Sequence, residues 1–298
     1  MKKIFFFTFL TAAFLAACSS DDQDEPKQEP RLITVEVTEN PLLDANGTPK
    51  QLPTRTEAAT TSETLSAFSM NYTAGYNYKI SKNDDGSWNT NPNTWPVTDN
   101  SKIDFYAYND GNFLWNDGNP YLSFTMDASA FNQTDLLVAT HKDIAYNDAK
   151  GKVSLDFDHA CAAVKFNIYK TDGVGEKSVI VKSVVLSGVK NQGDYYYNNE
   201  GTKWQFQSLP GSASYTYDGY SSASYTLTTG DITLTTDKRA LPCGYLFLIP
   251  QSKVGLTLTV YYTVDGGTET YYAFNLSGTW KAGTEYIVNI SMGTSIIY

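Results

Sequence analysis

The sequence predicts an all-β protein, and three observations predict it. Aromatic residues are abundant, with 22 Tyr, 15 Phe and 5 Trp among 298 residues, and such side chains suit the pleated, half-buried surface of a strand. Apolar residues recur at alternate positions over short stretches, the period of a strand with one face turned inward. Between the stretches stand Gly, Asn, Asp and Pro, the residues of turns, while long Leu/Glu/Lys patterns of helical period are missing.

The first 17 residues read as an export signal: Met1-Lys2-Lys3, then an apolar run too short to span a bilayer, then Leu15-Ala16-Ala17 before Cys18. Leu-Ala-Ala-Cys resembles the lipobox of bacterial lipoproteins, which implies diacylglycerol on the Cys18 thiol and a palmitate-type acyl chain on its amino group. Several acyl chains hold a protein firmly at a membrane, whereas one holds only marginally. The other reading is an ordinary secretory signal with a chance cysteine at the cut. Residues 18–31 follow as a solvated tether, with Asp21, Asp22, Asp24, Glu25, Glu29, Pro26 and Pro30 and too little apolar surface to fold. An acidic run after a lipidated cysteine resembles the surface-export signal of Bacteroidota lipoproteins, implying the outer face of the outer membrane. A plain periplasmic spacer is the alternative.

Without its leader the chain keeps 281 residues, which suggests two domains. It then carries 20 Lys+Arg against 32 Asp+Glu, a net charge of -12 that argues against nucleic acid and against electrostatic binding to anionic lipid.

Residues 32–37 alternate with β-branched side chains and form the first predicted strand. Asn46-Gly47 marks a turn, and a Thr-rich connection from Pro53 to about Ser66 holds Arg55. Residues 67–80 are strand-like, and residues 83–87 read as a hairpin turn returning through Trp88. The Asp84-Asp85 pair lacks the spacing of a calcium loop, so no metal site is expected. Residues 103–108, 122–126 and 135–139 are further strands. Val153, Leu155 and Phe157 share one face, but Val164, Phe166 and Ile168 have the opposite parity, so a β-bulge is expected between Asp158 and Ala163. Residues 171–176 are the best boundary. They separate an N-terminal β-sandwich, 32–172, from a C-terminal one, 177–298. The second has seven strand candidates: residues 179–186, 204–206, 225–227, 245–249, 256–264, 270–276 and 286–292.

No catalytic motif is present: there is no Gly-x-Ser-x-Gly, His-Glu-x-x-His, P-loop or dinucleotide fingerprint. His141 and His159 are the only imidazoles. His159 reads as a hydrogen-bonded structural residue, and Cys161, two positions on, sits in an apolar setting that raises a thiol's pKa. Acidic residues are plentiful, yet nothing singles out a glycosidase pair. No enzyme, catalytic residue or cofactor is expected. Cys161 and Cys243 either form a disulfide after export or stay as two buried thiols, the favoured reading. Tyr195, Tyr196, Tyr197 and Trp204, with Tyr215, Tyr217, Tyr220 and Tyr225, lie among Ser, Gly and Asn. They are candidates for contact with a glycan or a host protein. The alternative is that half of these rings alternate into a core and the rest cover a sheet face.

An ordered set of motifs carries a resemblance. Arg55-Thr56, Trp95-Pro96, Ile103-Asp104-Phe105-Tyr106-Ala107-Tyr108 and Asp135-Leu136-Leu137-Val138-Ala139 come first. Leu155-x-Phe157-x-His159-Ala160, Leu248-Ile249-Pro250-Gln251 and Trp280-Lys281-Ala282-Gly283-Thr284-x-Tyr286 follow. Together they resemble the fimbrillin-like family of Bacteroidota. The resemblance implies two tandem transthyretin-like β-sandwiches in a lipoprotein precursor, serving cell adhesion as a shaft, anchor, tip or accessory subunit of a type V pilus. In such pilins an arginine-specific protease removes the lipid and first strand, and a strand from the next subunit completes the groove. The matching bond is Arg55-Thr56, unless Arg55 is a solvated loop residue that is never cut. The implied partners are other pilus subunits and, through Cys18, the outer membrane. After residues 286–292 the remaining six span at most about 20 Å. Either the last strand leaves its sheet as a donor or the chain does not donate, which favours an anchor, a tip or a stand-alone glycan- or host-protein-binding lipoprotein.

Overall fold

The computed structural model describes residues 31–50, 65–72, 76–90, 93–96, 99–116, 118–201, 203–206 and 222–297. The leader, Cys18, nearly all of the tether, Arg55 and Thr56 lie outside them, as do Tyr215, Tyr217 and Tyr220. The described chain is all-β. Its helical pieces are the turns Tyr146–Ala149 and Thr294–Ile297 and a 3-10 turn at Asp172–Val174.

One sheet has seven strands in the order Thr34–Glu39, Lys152–His159, Leu137–Ile144, Ile103–Tyr108, Ala67–Tyr72, Tyr76–Lys82, Trp88–Asn89. Ile103–Tyr108 lies inside it, and both its faces are buried. Ile103, Phe105 and Ala107 enter a smaller core with Phe68, Met70 and Phe157. Tyr106 and Tyr108 enter a larger one. The alternating pattern made Asp104, Tyr106 and Tyr108 the opposite face, and that face is covered as well.

A four-stranded sheet, Trp204–Gln205, Gln192–Tyr196, Asn119–Thr125, Asn112–Asn116, joins segments from either side of residue 172. The larger core does the same, gathering Leu122 and Phe124 with Phe166, Val184, Leu258 and Trp280. Val179–Lys190 pairs Ser222–Thr226, Ile232–Thr233 and Thr257–Val264, and Thr270–Asn275 closes that sheet as an edge.

The expected bulge between Asp158 and Ala163 is replaced by a change of sheet. Lys152–His159 ends in the seven-stranded sheet, Ala160 and Cys161 turn the corner, and Ala162–Lys170 runs between Arg239–Leu248 and Glu285–Met292 in a three-stranded sheet. A strand entering a new sheet acquires a new inward face, so the parity reverses without an extra residue. The corner is pinned at both ends: Ala160 N–H donates to Leu136 O at 2.8 Å and Ala163 N–H to Thr284 O at 3.0 Å.

The two expected tight turns are formed. Asn83 N–H donates to Ser87 O at 2.7 Å around Gly86 at φ +85°. The Asp85 carboxylate accepts from the Ser87 main chain and hydroxyl, which holds it below the usual carboxylate range and commits it to the turn. Asp44 does likewise around Gly47, accepting from Thr48 N and Asn46 N at 2.9 Å.

Candidate functional site

The segment from Ile33 to Leu43 runs along the edge of the fold, anchored by Ile33 and Leu42. Its strand, Thr34–Glu39, occupies an edge of the seven-stranded sheet and pairs in parallel with Lys152–His159 over six residues, from Thr34 opposite Lys152 to Glu39 opposite Phe157. β-branched residues alternating with polar ones give this short run its strand character. Val35 and Val37 lean on the smaller core and Ile33 is buried within it, while Leu42, nine positions on, is buried in the larger core. Each of those two side chains contributes about 1.5–3 kcal/mol by burial.

Main-chain bonds fix both ends of the segment. Ile33 N–H donates to Asn93 O at 3.1 Å and Thr34 N–H to Gly151 O at 2.9 Å. Asn40 N–H donates to Phe157 O and Leu43 N–H to Gly283 O, both at 2.8 Å. Leu43 also forms an isolated parallel bridge to Thr284. Side chains add the exposed pair Glu36 with Lys152, worth little in water, and Asn40 Nδ2 to Asp158 Oδ1 at 2.8 Å. Glu39 Oε1 accepts from Leu65 N at 2.9 Å, which ties the segment to the point where the chain resumes after residues 51–64.

Beneath Asn40 lies a buried ion pair, His159 Nδ1 to Asp135 Oδ2. Burial by itself pushes the imidazole pKa down. The hydrogen bond and charge of Asp135, helped by the Asn40 main-chain oxygen, outweigh it and hold the ring protonated above its ordinary range. Burial likewise pushes the Asp135 carboxyl up. His159 is therefore tied into the packing under the segment. The Cys161 thiol is raised well above its ordinary value by burial. Cys161 and Cys243 are both free and buried. Among the described residues no three His, Cys, Asp or Glu side chains group to hold a metal.

The last strand, Glu285–Met292, mirrors the first. It lies at the edge of the three-stranded sheet and pairs in parallel with Ala162–Lys170 over eight residues. Ile290 and Met292 are buried beneath it. The turn Thr294–Ile297 then docks Ile297 into the larger core, and Tyr262 Oη donates to Ile296 O at 2.5 Å.

The aromatic candidates separate by strand parity. Tyr196 faces outward and stacks on Tyr121 at 5.1 Å, whereas Tyr195 and Tyr197 share the other face. Tyr197 is buried and donates to Ala107 O at 3.1 Å. Trp204, across the ladder from Tyr195, donates its indole N–H to Ala160 O at 2.7 Å. Tyr195 and Trp204 both line a cleft of about 810 Å³, which Asn40, Pro41 and Leu43 bound on one side and Trp280 on another. Burial, then the charge of Asp158, pushes the Tyr195 hydroxyl up to about 12, so it stays a donor. The strand Gln192–Tyr196 was not legible in the sequence. Its tyrosine run gives no polar alternation, and its partner Asn119–Thr125 is far away in the chain.

Comparison with known proteins fits this architecture. The crystal structure of a fimbrial protein from Bacteroides vulgatus is similar in fold, at 17% identity and a TM-score of 0.57, over 88% of this chain and 95% of that one. A candidate cell adhesion protein from Bacteroides ovatus is similar at 13% identity and a TM-score of 0.52, over 89% of this chain and 93% of that one. No curated protein matches the chain. A family model described as fimbrillin-like matches residues 52–297, most of the sequence. The chain belongs to the fimbrillin-like family.

Proposed function

We propose that the chain is a fimbrial surface subunit whose first strand is a placeholder. In this reading Cys18 carries the lipid at the outer face of the outer membrane, and a protease cuts the Arg55-Thr56 bond. A strand from a neighbouring subunit then takes the place of Thr34–Glu39. The observation that carries it is the position of that strand: an edge strand in parallel pairing, upstream of residues 51–64, with its anchors Ile33 and Leu42 in two cores. Its loss uncovers the ladder of Lys152–His159 and two apolar pockets, the combination that an added strand satisfies. The start of the family match at residue 52 supports the same division.

The engagement of Glu285–Met292 in its own sheet supports an accepting subunit, an anchor or tip, over a donating one. We read the architecture as two sandwiches in tandem, 32–172 and 177–298. The smaller core, whose buried residues all precede residue 172, supports this, while the larger core and the four-stranded sheet draw on both sides of that residue.

Protein released from cells is expected to begin at Thr56, and Arg55→Ala is expected to abolish both the release and the incorporation into detergent-resistant oligomers. Finding only full-length, lipid-bearing protein on cells that assemble pili overturns the proposal.

A second reading, a stand-alone lipoprotein that binds a glycan or a host protein, is favoured by the cleft that Tyr195 and Trp204 line.

A further inference from the structure

We infer that this cleft is a binding site for a carboxylated oligosaccharide, one built of or ending in an acidic sugar. The inference deepens the second reading and concerns the chain before any strand exchange. The volume, about 810 Å³, lies in the range of small-ligand sites and suits two or three sugar rings. Its apolar lining, Trp204, Pro250, Trp280 and Ala282, suits the CH faces of pyranose rings.

The polar lining selects the charge. Lys203 and Lys281 line the cleft, and Lys253 Nζ stands 3.7 Å from the centroid of the Trp280 ring. One carboxylate, Asp158, also lines the cleft and acts on Lys203. Asp158 Oδ1 accepts from Asn40, Asp135 pairs with His159, and Glu285 Oε1 accepts from Tyr245 Oη at 2.5 Å. Glu200 acts on Lys203 from the side, and Lys203 also donates to Tyr197 O at 2.8 Å. Two lysines thus stand against one lining carboxylate in a chain whose net charge is -10. The complementary ligand brings acceptors and negative charge: carboxylate and hydroxyl oxygens.

One side of the cleft is Asn40, Pro41 and Leu43, the segment that follows the first strand. The site is therefore complete only while that segment is docked.

The test is isothermal titration of the purified mature chain, first segment intact, with trigalacturonic acid and 3'-sialyllactose, against maltotriose and lactose as neutral counterparts. The acidic probes are expected to bind at least tenfold more tightly, with affinity falling as salt is added. Lys281→Gln is expected to weaken acidic probes at least fivefold while leaving the melting temperature unchanged. Three results overturn the inference: equal binding of acidic and neutral sugars, binding of a poly-glutamate peptide but no sugar, or no binding of any probe at millimolar concentration. Loss of Arg55 cleavage or of pilus incorporation leaves these titrations unchanged, so the two readings fail separately.

Discussion

His159 Nδ1 lies 2.5 Å from Asp135 Oδ2, and both side chains are almost wholly buried. The ring also meets the Asn40 main-chain oxygen. One imidazole thereby joins the end of the strand Lys152–His159, the start of the segment leading into Leu137–Ile144, and the exit of the first strand.

That arrangement fixes the sign of a pH effect. The folded-state pKa of His159 is raised, so its contribution is fully present below the ordinary histidine value of about 6.5 and is lost as pH rises through the elevated one. Asp135, also raised by burial, acts in the same direction. Thermal melts are expected to fall as pH rises above neutral in the wild type, and to fall less in a His159→Leu/Asp135→Leu double variant. His159→Leu alone, which strands a buried carboxylate, is expected to cost about 3–5 kcal/mol. A wild-type melting temperature that climbs above neutral pH contradicts the assignment.

At Gly151 the chain leading into the first strand passes close to the rest of the fold. A Cβ there stands 2.3 Å from the Leu32 carbonyl oxygen, and the backbone has φ +81°. Gly151→Ala therefore both strains the backbone, by about 1–2 kcal/mol, and pushes the segment out. Hydrogen exchange is expected to quicken across residues 33–43 while Val179–Lys190 keeps its protection.

Leu42→Ala and Ile33→Ala are each expected to cost about 2–5 kcal/mol in urea unfolding of the uncut chain. Their side chains enter different cores, so the losses should be close to additive. A double variant as stable as either single variant would show that the segment is already undocked.

Both free cysteines should be inert in the native protein. Burial raises the Cys161 thiol well above its ordinary value and pushes Cys243 up to about 12. Iodoacetamide at pH 8 is expected to label neither until denaturant is added, and reductant is expected to leave the melting temperature unchanged.

Tyr197 and Tyr196 are adjacent in sequence and opposite in consequence. Tyr197 is buried beside Tyr106, 5.2 Å away between centroids, and donates to Ala107 O. Tyr197→Ala is expected to cost about 3–5 kcal/mol. Tyr196→Ala, on the outward face, is expected to cost under about 1 kcal/mol. Equal effects would mean that the strand sits in a different register.

Much of the strand pattern was legible because period-two alternation is a local property. Ile103–Tyr108, Thr257–Val264 and Thr270–Asn275 fall where alternation and flanking turns put them. Gln192–Tyr196 was missed because its extended form depends on a distant ladder. The bulge expected after Asp158 was a fair inference from parity, but parity alone does not distinguish an extra residue from a passage between sheets. Of the aromatic candidates, Tyr195 and Trp204 meet at the cleft while Tyr196 and Tyr197 do not. A run of identical residues carries no mark of which ring faces which way until the register is set. Trp280, Lys203 and Lys281 were not singled out as binding residues, since their convergence joins segments some eighty positions apart.

By itself the sequence determined the all-β character, the tight turns at Asn46-Gly47 and Asn83–Ser87, and the family, through short motifs in a set order. These rest on side-chain alternation, turn stereochemistry and local composition, which act between near neighbours. Tertiary structure alone decided that Ile33 and Leu42 anchor one segment in two cores, that His159 finds Asp135 beneath Asn40, and that the cleft is walled by that same segment. Those relationships join residues far apart in the chain, and only the cooperative burial of whole sheets brings such residues together.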